Sequence, residues 1–402
     1  MVATMNENWK QIGTEPYPWE RGPKGAIPAR KWLRIKPEYL AAIPSKIAKQ
    51  DVELPKELDL AINSLLVALA RFDTTQQHKD YTFPSMLLRS ESAASSQIES
   101  LTSSIKNIAL AQVSTKAPKN AQLIAGNVAA MHTALQLPDE LSKKNILKIH
   151  KELMAPSGVD FAGKFREQQV WISGTEYSPH DALFVPPHQS KVESCLDDLI
   201  AYSKETDVNP IVKSAIVHAQ FETIHPFIDG NGRTGRTLIH KVLRQEDILR
   251  AVTLPISAGL LHNINGYLEA LQSYQAGNPV PIVEQLVEAL ELAVSIAQRI
   301  SEQVEEVLDG WKVNIKGSSK ASIWKLLPLL VGQPVVNAKF VAENLGISVR
   351  AASYVLENAD KYTILTKIGR SGRDNYYQAK DLVEIFSQIS DIQKVRRLFQ
   401  KQ

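Results

Sequence analysis

Apolar positions along this chain fall mostly at helical spacing. Residues 58–71 and 87–112 each predict a helix, and from 123 to 204 helical stretches alternate with one hairpin-like segment. Over residues 279–307, apolar side chains at 282, 283, 286, 287, 290, 292 and 293 mark one face of a long helix, able to close a domain or form an interface. Residues 10–60 are rich in proline, lysine and aromatics, Trp19 and Trp32 among them, and predict an irregular arm around a helical body. After Gly310 the pattern changes. Residues 321–331, 337–345 and 349–358 read as three helices, the last with Ser348 as N-cap. Residues 364–368 and 375–378 read as strands around a Gly/Arg-rich turn. This order predicts a winged helix-turn-helix.

The densest chemistry lies at residues 225–236, His-Pro-Phe-Ile-Asp-Gly-Asn-Gly-Arg-Thr-Gly-Arg. Helical spacing precedes it at 214–224 and follows it at 237–244, so the segment is a loop that feeds a helix N-terminus. Unpaired N–H groups and the positive dipole end favour phosphate there. Gly230 and Gly232 allow the backbone to curl into an anion-holding nest. Arg233 and Arg236 add positive charge, Asp229 can hold Mg²⁺ beside phosphates, and His225 can take a proton from a hydroxyl. Such a set suits phosphoryl or nucleotidyl transfer. Gly230-x-Gly232-x-x-Gly235 also satisfies a dinucleotide-binding pattern, but a helix rather than a strand precedes it. His218, Glu222 and His225 share a helical face without the H-E-x-x-H order of a zinc site, and Asp229-Gly-Asn-Gly lacks the later ligands of a calcium loop.

The twelve residues resemble the signature of the Fic family, H-P-F-x-[D/E]-G-N-G-R-x-x-R, at every fixed position. The resemblance spans roughly residues 85–275. It implies a mainly α fold: an all-helical core with a β-hairpin flap, here followed by a small α+β winged-helix domain. The domains expected are an arm and helical region over 1–115, a core over 116–300 with its flap at 165–188, a linker over 301–315 and the winged helix over 316–402. The resemblance also implies protein adenylyltransfer: movement of AMP from ATP to a Ser, Thr or Tyr hydroxyl of a protein, the chain itself included. Mg²⁺, or Mn²⁺ in its place, serves as cofactor. A related subgroup that transfers phosphate has Lys where this chain has Gly232. By resemblance His225 is the base and Asp229 the metal ligand. Asn231, Gly232 and Arg233, with Gly230 and Gly235, cradle the phosphates, and Arg236 grips the γ-phosphate. Tyr267 and Asn263 partly match a downstream helix near the adenine, although Ile264 stands where the family commonly has Arg.

Two further segments carry the resemblance. Ser95 and Glu99, four apart within a helix over about 88–103, match the family's inhibitory pattern [S/T]-x-x-x-E-[G/N], with Ser100 departing from Gly or Asn. Glu99 paired with Arg236 would take the place of the γ-phosphate. Val170, Trp171 and Ile172, with Leu183, Phe184 and Val185, resemble the flap whose edge pairs with the target segment. Many members of the family form dimers.

Composition narrows the setting. The 402 residues include one cysteine, Cys195, which excludes an internal disulfide. No run of 18 apolar residues predicts a membrane span, and residues 1–9 lack the apolar region of a signal peptide. A cytoplasmic location is expected. Residues 316–402 hold 14 Lys/Arg against 7 Asp/Glu, a balance of +7 that leaves −4 on the remainder. That asymmetry suits DNA, with Arg350, Arg370 and Arg373 as contacts, although winged helices also dock proteins. Two other functions share these features: a DNA-binding regulator with a nucleotide-sensing core, and removal of AMP at the same site.

Overall fold

The computed structural model describes residues 9–22, 27–77, 83–316, 321–371 and 374–388. The arm is not irregular. β1 (Gly13–Pro18) pairs antiparallel with β2 (Glu38–Ile43), Tyr17 opposite Tyr39, with the short helix α1 (Ala29–Trp32) between them. Pro16 and Pro18 argue against a strand in the sequence; β1 tolerates them as an edge.

The body is built of helices α2 (Lys56–Gln77), α3 (Phe83–Ile98), α4 (Ile105–Ala111), α5 (Lys119–Gln136), α6 (Lys143–Met154), α7 (Val192–Ser203), α8 (Pro210–Ile224), α9 (Asn231–Gln245), α10 (Ile256–His262), α11 (Ile264–Gln275) and α12 (Val280–Asn314). α8 is buried on nearly every side, its polar residues Lys213, Ser214, His218, Gln220 and Thr223 included, and runs through the centre. Its start is fixed locally: Asn209 accepts from the Ile211 N–H at 3.0 Å and Pro210 occupies the first helical position. The expected helix over 87–112 is broken into α3 and α4, because the chain turns at Glu99–Ser100 and restarts with Ser104 capping Asn107. The expected linker over 301–315 is instead the last third of α12, whose apolar stripe continues through Val304, Leu308 and Trp311.

Beyond α12 lie α13 (Ser322–Gly332), β3 (Val335–Asn337), α14 (Ala338–Leu345), α15 (Val349–Lys361), β4 (Thr366–Ser371), β5 (Asp374–Gln378) and α16 (Lys380–Ser387). The strands form one antiparallel sheet in the order β3-β5-β4. Ser348 caps α15 through the Ala351 N–H, as its position in the sequence predicts. This module shares a continuous apolar core with the body, and Trp311 Nε1 donates to Asp381 at 3.2 Å across the junction. No helix among the described residues is long and apolar enough to cross a membrane.

α10 and α12 touch at backbone distance. A Cβ on Gly259 would lie 2.5 Å from the Ala289 carbonyl oxygen and 2.6 Å from its Cα. Ala favours a helix over Gly by about 1 kcal/mol, but overpacking against unyielding backbone costs about 1–3 kcal/mol. Gly259→Ala should therefore lower the urea midpoint with an unchanged m-value. A raised midpoint would show that the helices separate freely.

Candidate active site

His225 ends α8 in left-handed backbone, φ +50° and ψ +61°. That conformation costs an L-residue roughly 1–2 kcal/mol, and the following proline disfavours it further. Neighbours over-determine it. The His225 N–H donates to Phe221 O at 2.9 Å, and Arg166 Nε donates to His225 O at 2.8 Å. The Arg166 N–H adds a bond to Pro226 O at 3.0 Å, and its Nη2 reaches Pro187 O. The imidazole is thereby aimed out of the turn. Its Nδ1 lies 3.3 Å from Glu222 O, so the Nδ1 proton points inward and Nε2 keeps its lone pair. Burial pushes the imidazole pKa down to about 4.

The loop after His225 is closed by Asn231, whose amide accepts from the Phe227 N–H at 2.8 Å and donates to Phe227 O at 2.9 Å. That leaves its backbone N–H, at the start of α9, to face a ligand. Gly230 turns the chain with φ +81°. The first backbone bond of α9 is from Thr234 N to Gly230 O, so the N–H groups of Asn231, Gly232 and Arg233 stand ahead of it at the positive dipole end. Arg233 is buried, and its Nε has no partner among the described residues. An orphaned cationic donor beside three such N–H groups fits an anion.

Asp229 is mostly exposed; its Oδ1 accepts from the Gly230 N–H at 2.6 Å and meets Arg233 Nη2 at 3.3 Å. Among the described residues no group of three or more His, Cys, Asp and Glu could hold a metal ion. A single carboxylate beside an anion cradle fits Mg²⁺, which shares its coordination with phosphate and water. Behind the loop His150 stacks flat on Phe227, 3.6 Å between centroids, accepts from the Gly163 N–H at 3.0 Å and donates to Asp229 O at 2.9 Å.

Arg236, one turn into α9, is 2% exposed. Its Nε donates to Ser95 Oγ at 2.9 Å, and its Nη2 donates to Ser95 O at 2.8 Å and to Glu99 Oε1 at 2.9 Å. Burial would raise the Glu99 pKa, but the Arg236 charge outweighs it and holds the carboxyl below the ordinary glutamate range. Gly232 makes room for this pair: a Cβ there would overlap Glu99 Oε1. Glu99 is presented by a Schellman turn. The Leu101 N–H returns to Ser96 O at 3.0 Å, the Ser100 N–H to Gln97 O at 2.9 Å, and Ser100 takes φ +60°. The Gly or Asn of the family pattern suits such a left-handed position; serine here occupies it with the same hydrogen bonds.

The remaining expected site residues divide. Tyr267 is 1% exposed and lies beneath Arg236, its hydroxyl 2.8 Å from His218 Nε2, so it backs the site rather than lining it. Asn263 is exposed and caps α11 through the Gly266 N–H at 3.2 Å. Gly235 lies over His218 and Glu222. In the flap, Val170, Trp171 and Ile172 and Leu183, Phe184 and Val185 do not form two full strands: the hairpin is joined by the isolated bridges Ile172–Phe184 and Thr175–Ser178. Val185 O accepts from the Ala42 N–H of β2 at 3.0 Å, and Trp171 packs edge-on against Trp19 of the arm. Arg350 is exposed at the start of α15. Arg370 lies in β4 with its side chain outside the description, and Arg373 lies outside the described residues.

Arg166 and His150 carry the loop, yet neither stands out in the sequence. The one available signal is His150 on the apolar face of α6, among Ile146, Ile149 and Leu153.

Residues 140–243 match the model of the Fic/DOC family. The chain is 29% identical over 165 residues to a probable protein adenylyltransferase of Aquifex aeolicus, an overlap of 41% of this chain and 45% of that protein. It is also 29% identical over 165 residues to the protein adenylyltransferase Fic of Aedes aegypti, covering 41% and 30%. With fic-1 of Caenorhabditis elegans the identity is 29% over 118 residues, covering 29% and 22%. The match thus spans less than half the length of each of these relatives. A solved Fic family protein from Desulfovibrio desulfuricans G20 has the same fold, with a TM-score of 0.53 at 22% identity over 81% of this chain and 98% of that one.

The buried titratable groups give the domain a pH signature. Burial lowers His150 and His225 to about 4 and His218 to about 3, from 6.5. Between those values and 6.5 the unfolded chain binds more protons, so their contribution is full above pH 6.5 and is lost as pH falls. Burial raises Glu222 to about 7 from 4.5, which acts in the opposite direction, but one group opposes three. Tm should fall as pH is lowered from 6.5 to 4, and more steeply in Glu222→Gln. A flat Tm across that range would contradict the burial of these histidines.

Proposed function

We propose that this chain is a Mg²⁺-dependent protein adenylyltransferase that moves AMP from ATP to a Ser, Thr or Tyr hydroxyl of a protein, itself included, and that Glu99 holds it down. The observation that carries this reading is the placement of an unprotonated His225 nitrogen next to the open N-terminus of α9 with the unpartnered Arg233 Nε. His225 Nε2 takes the proton of the target hydroxyl, whose oxygen bonds to the α-phosphorus. The bond from that phosphorus to the bridging oxygen breaks, and pyrophosphate leaves with the electron pair. The N–H groups of Asn231, Gly232 and Arg233, with the Arg233 side chain, receive the growing charge on the phosphates. Asp229 is the residue to hold Mg²⁺, which supplies further charge neutralisation on the polyphosphate. Arg236 receives the γ-phosphate once Glu99 withdraws. If the Glu99-withdrawn state is about 1% populated, transfer falls about a hundredfold with every catalytic group intact.

The flap supports a place for the target. The Val185 carbonyl is engaged by Ala42, and the Ile172 N–H and carbonyl by Phe184 and Leu183, which leaves the outward backbone at Trp171 and Ser173 for a target segment in extended conformation. Such pairing reads backbone and selects weakly for sequence. The order of elements from α13 to β5 supports a winged helix-turn-helix, with exposed Arg350 on α15 facing DNA or a protein partner.

The test is label transfer from α-labelled ATP with Mg²⁺ in wild type, Glu99→Gly and Glu99→Gly/His225→Ala. Label on protein is expected in Glu99→Gly, raised about a hundredfold over wild type, and lost with His225→Ala. Label absent from every variant, with ATP still bound, would sink the transferase reading in favour of a nucleotide sensor or of AMP removal.

A further inference from the structure

The helix that delivers Glu99 is fastened near its middle, at Arg89, to the C-terminal module. Arg89 of α3 is 5% exposed and stands six residues, about 9 Å along the helix, before Ser95. Its Nη1 donates to Gly332 O and its Nη2 to Gln333 Oε1, while Nε donates to Gln112 Oε1. Gly332 closes α13, so its carbonyl belongs to the unpaired acceptors at the negative end of that helix, a fitting seat for a guanidinium. Gln333 continues the join: its Nε2 donates to Ala109 O of α4 at 2.8 Å and to Val335 O of β3 at 2.7 Å. Burial lowers the Arg89 pKa to about 9, which leaves it charged at neutral pH. Two residues on, Glu91 is fully buried and accepts from the Ser257 N–H at 2.8 Å, which ties the middle of α3 to the body. α3 is therefore a rod held at three points: by the module through Arg89, by the body through Glu91, and by the active site through Ser95 and Glu99.

We propose that the C-terminal module is the latch of the inhibitory helix: the seat of Arg89 on the Gly332–Gln333 end of α13 fixes α3 where Glu99 reaches Arg236, and a partner that shifts the module against α3 releases transfer. The inference rests on the transferase reading for its consequence, but the latch itself is a property of the fold. It gives a partner of the module a physical route to the active site, through one buried guanidinium and one helix rather than through the nucleotide.

Arg89→Met, which keeps most of the side-chain stem, and Gln333→Ala, which weakens the seat from the module side, test it in the chain of residues 1–402. Each is made with Glu99 intact and in Glu99→Gly. Amide hydrogen exchange of residues 92–101 should quicken by about tenfold in both single variants. Transfer should rise at least about fivefold when Glu99 is present and change little in Glu99→Gly, the non-additivity expected of residues acting through one element. Should Arg89→Met fail to fold, Gln333→Ala carries the same two readouts. Unchanged exchange at 92–101, or an equal rise in transfer in both backgrounds, would overturn the latch. Faster exchange with no transfer even in Glu99→Gly would uphold the latch and count against the transferase reading instead.

Discussion

The structure is organised around the burial of Arg236. A guanidinium that is 2% exposed must find acceptors, and α3 supplies them through Ser95 and Glu99. Satisfying that charge dictates much of the neighbourhood. α3 ends at Glu99 rather than running on, Ser100 accepts a left-handed backbone, and glycine at 232 leaves room for the Glu99 carboxylate. The same charge is what a terminal phosphate would seek. The domain thus keeps this buried guanidinium occupied by its own carboxylate.

The rest of the site follows from how the loop between α8 and α9 is held. His225 adopts a backbone it would not choose, and Arg166, Asn231 and His150 keep it there from three directions. Strain of this kind persists where surrounding structure over-determines it, and it aims the imidazole beside the α9 N-terminus. Burial also keeps that imidazole neutral. A neutral imidazole and a cationic loop a few residues apart are a pairing that solvent-exposed side chains would not sustain.

What could be read from the sequence was local. Residues 225–236, the Ser348 cap and the stripe along α12 declare themselves within a few turns of chain. Glu99 was legible through its spacing from Ser95, and the left-handed Ser100 explains how the departure from Gly or Asn is accommodated. What stayed hidden was long-range. Arg166 meets His225 across 59 positions and Arg89 meets Gly332 across 243, and nothing local distinguishes a buried arginine from the many at the surface. The arm deceived for a physical reason: prolines that usually forbid a strand are harmless on an edge. A linker was expected over 301–315, where the pattern changes near Gly310, yet the apolar stripe through Val304, Leu308 and Trp311 carries α12 on to Asn314.

The most direct test of the central claim is calorimetric binding of MgATP and MgADP to wild type and Glu99→Gly. If Glu99 stands in the place of the γ-phosphate, its removal frees a charged hydrogen-bond site that only ATP can fill. Affinity for ATP should then rise at least about tenfold more than affinity for ADP. An equal change for the two nucleotides would mean that Glu99 and the γ-phosphate do not compete for Arg236.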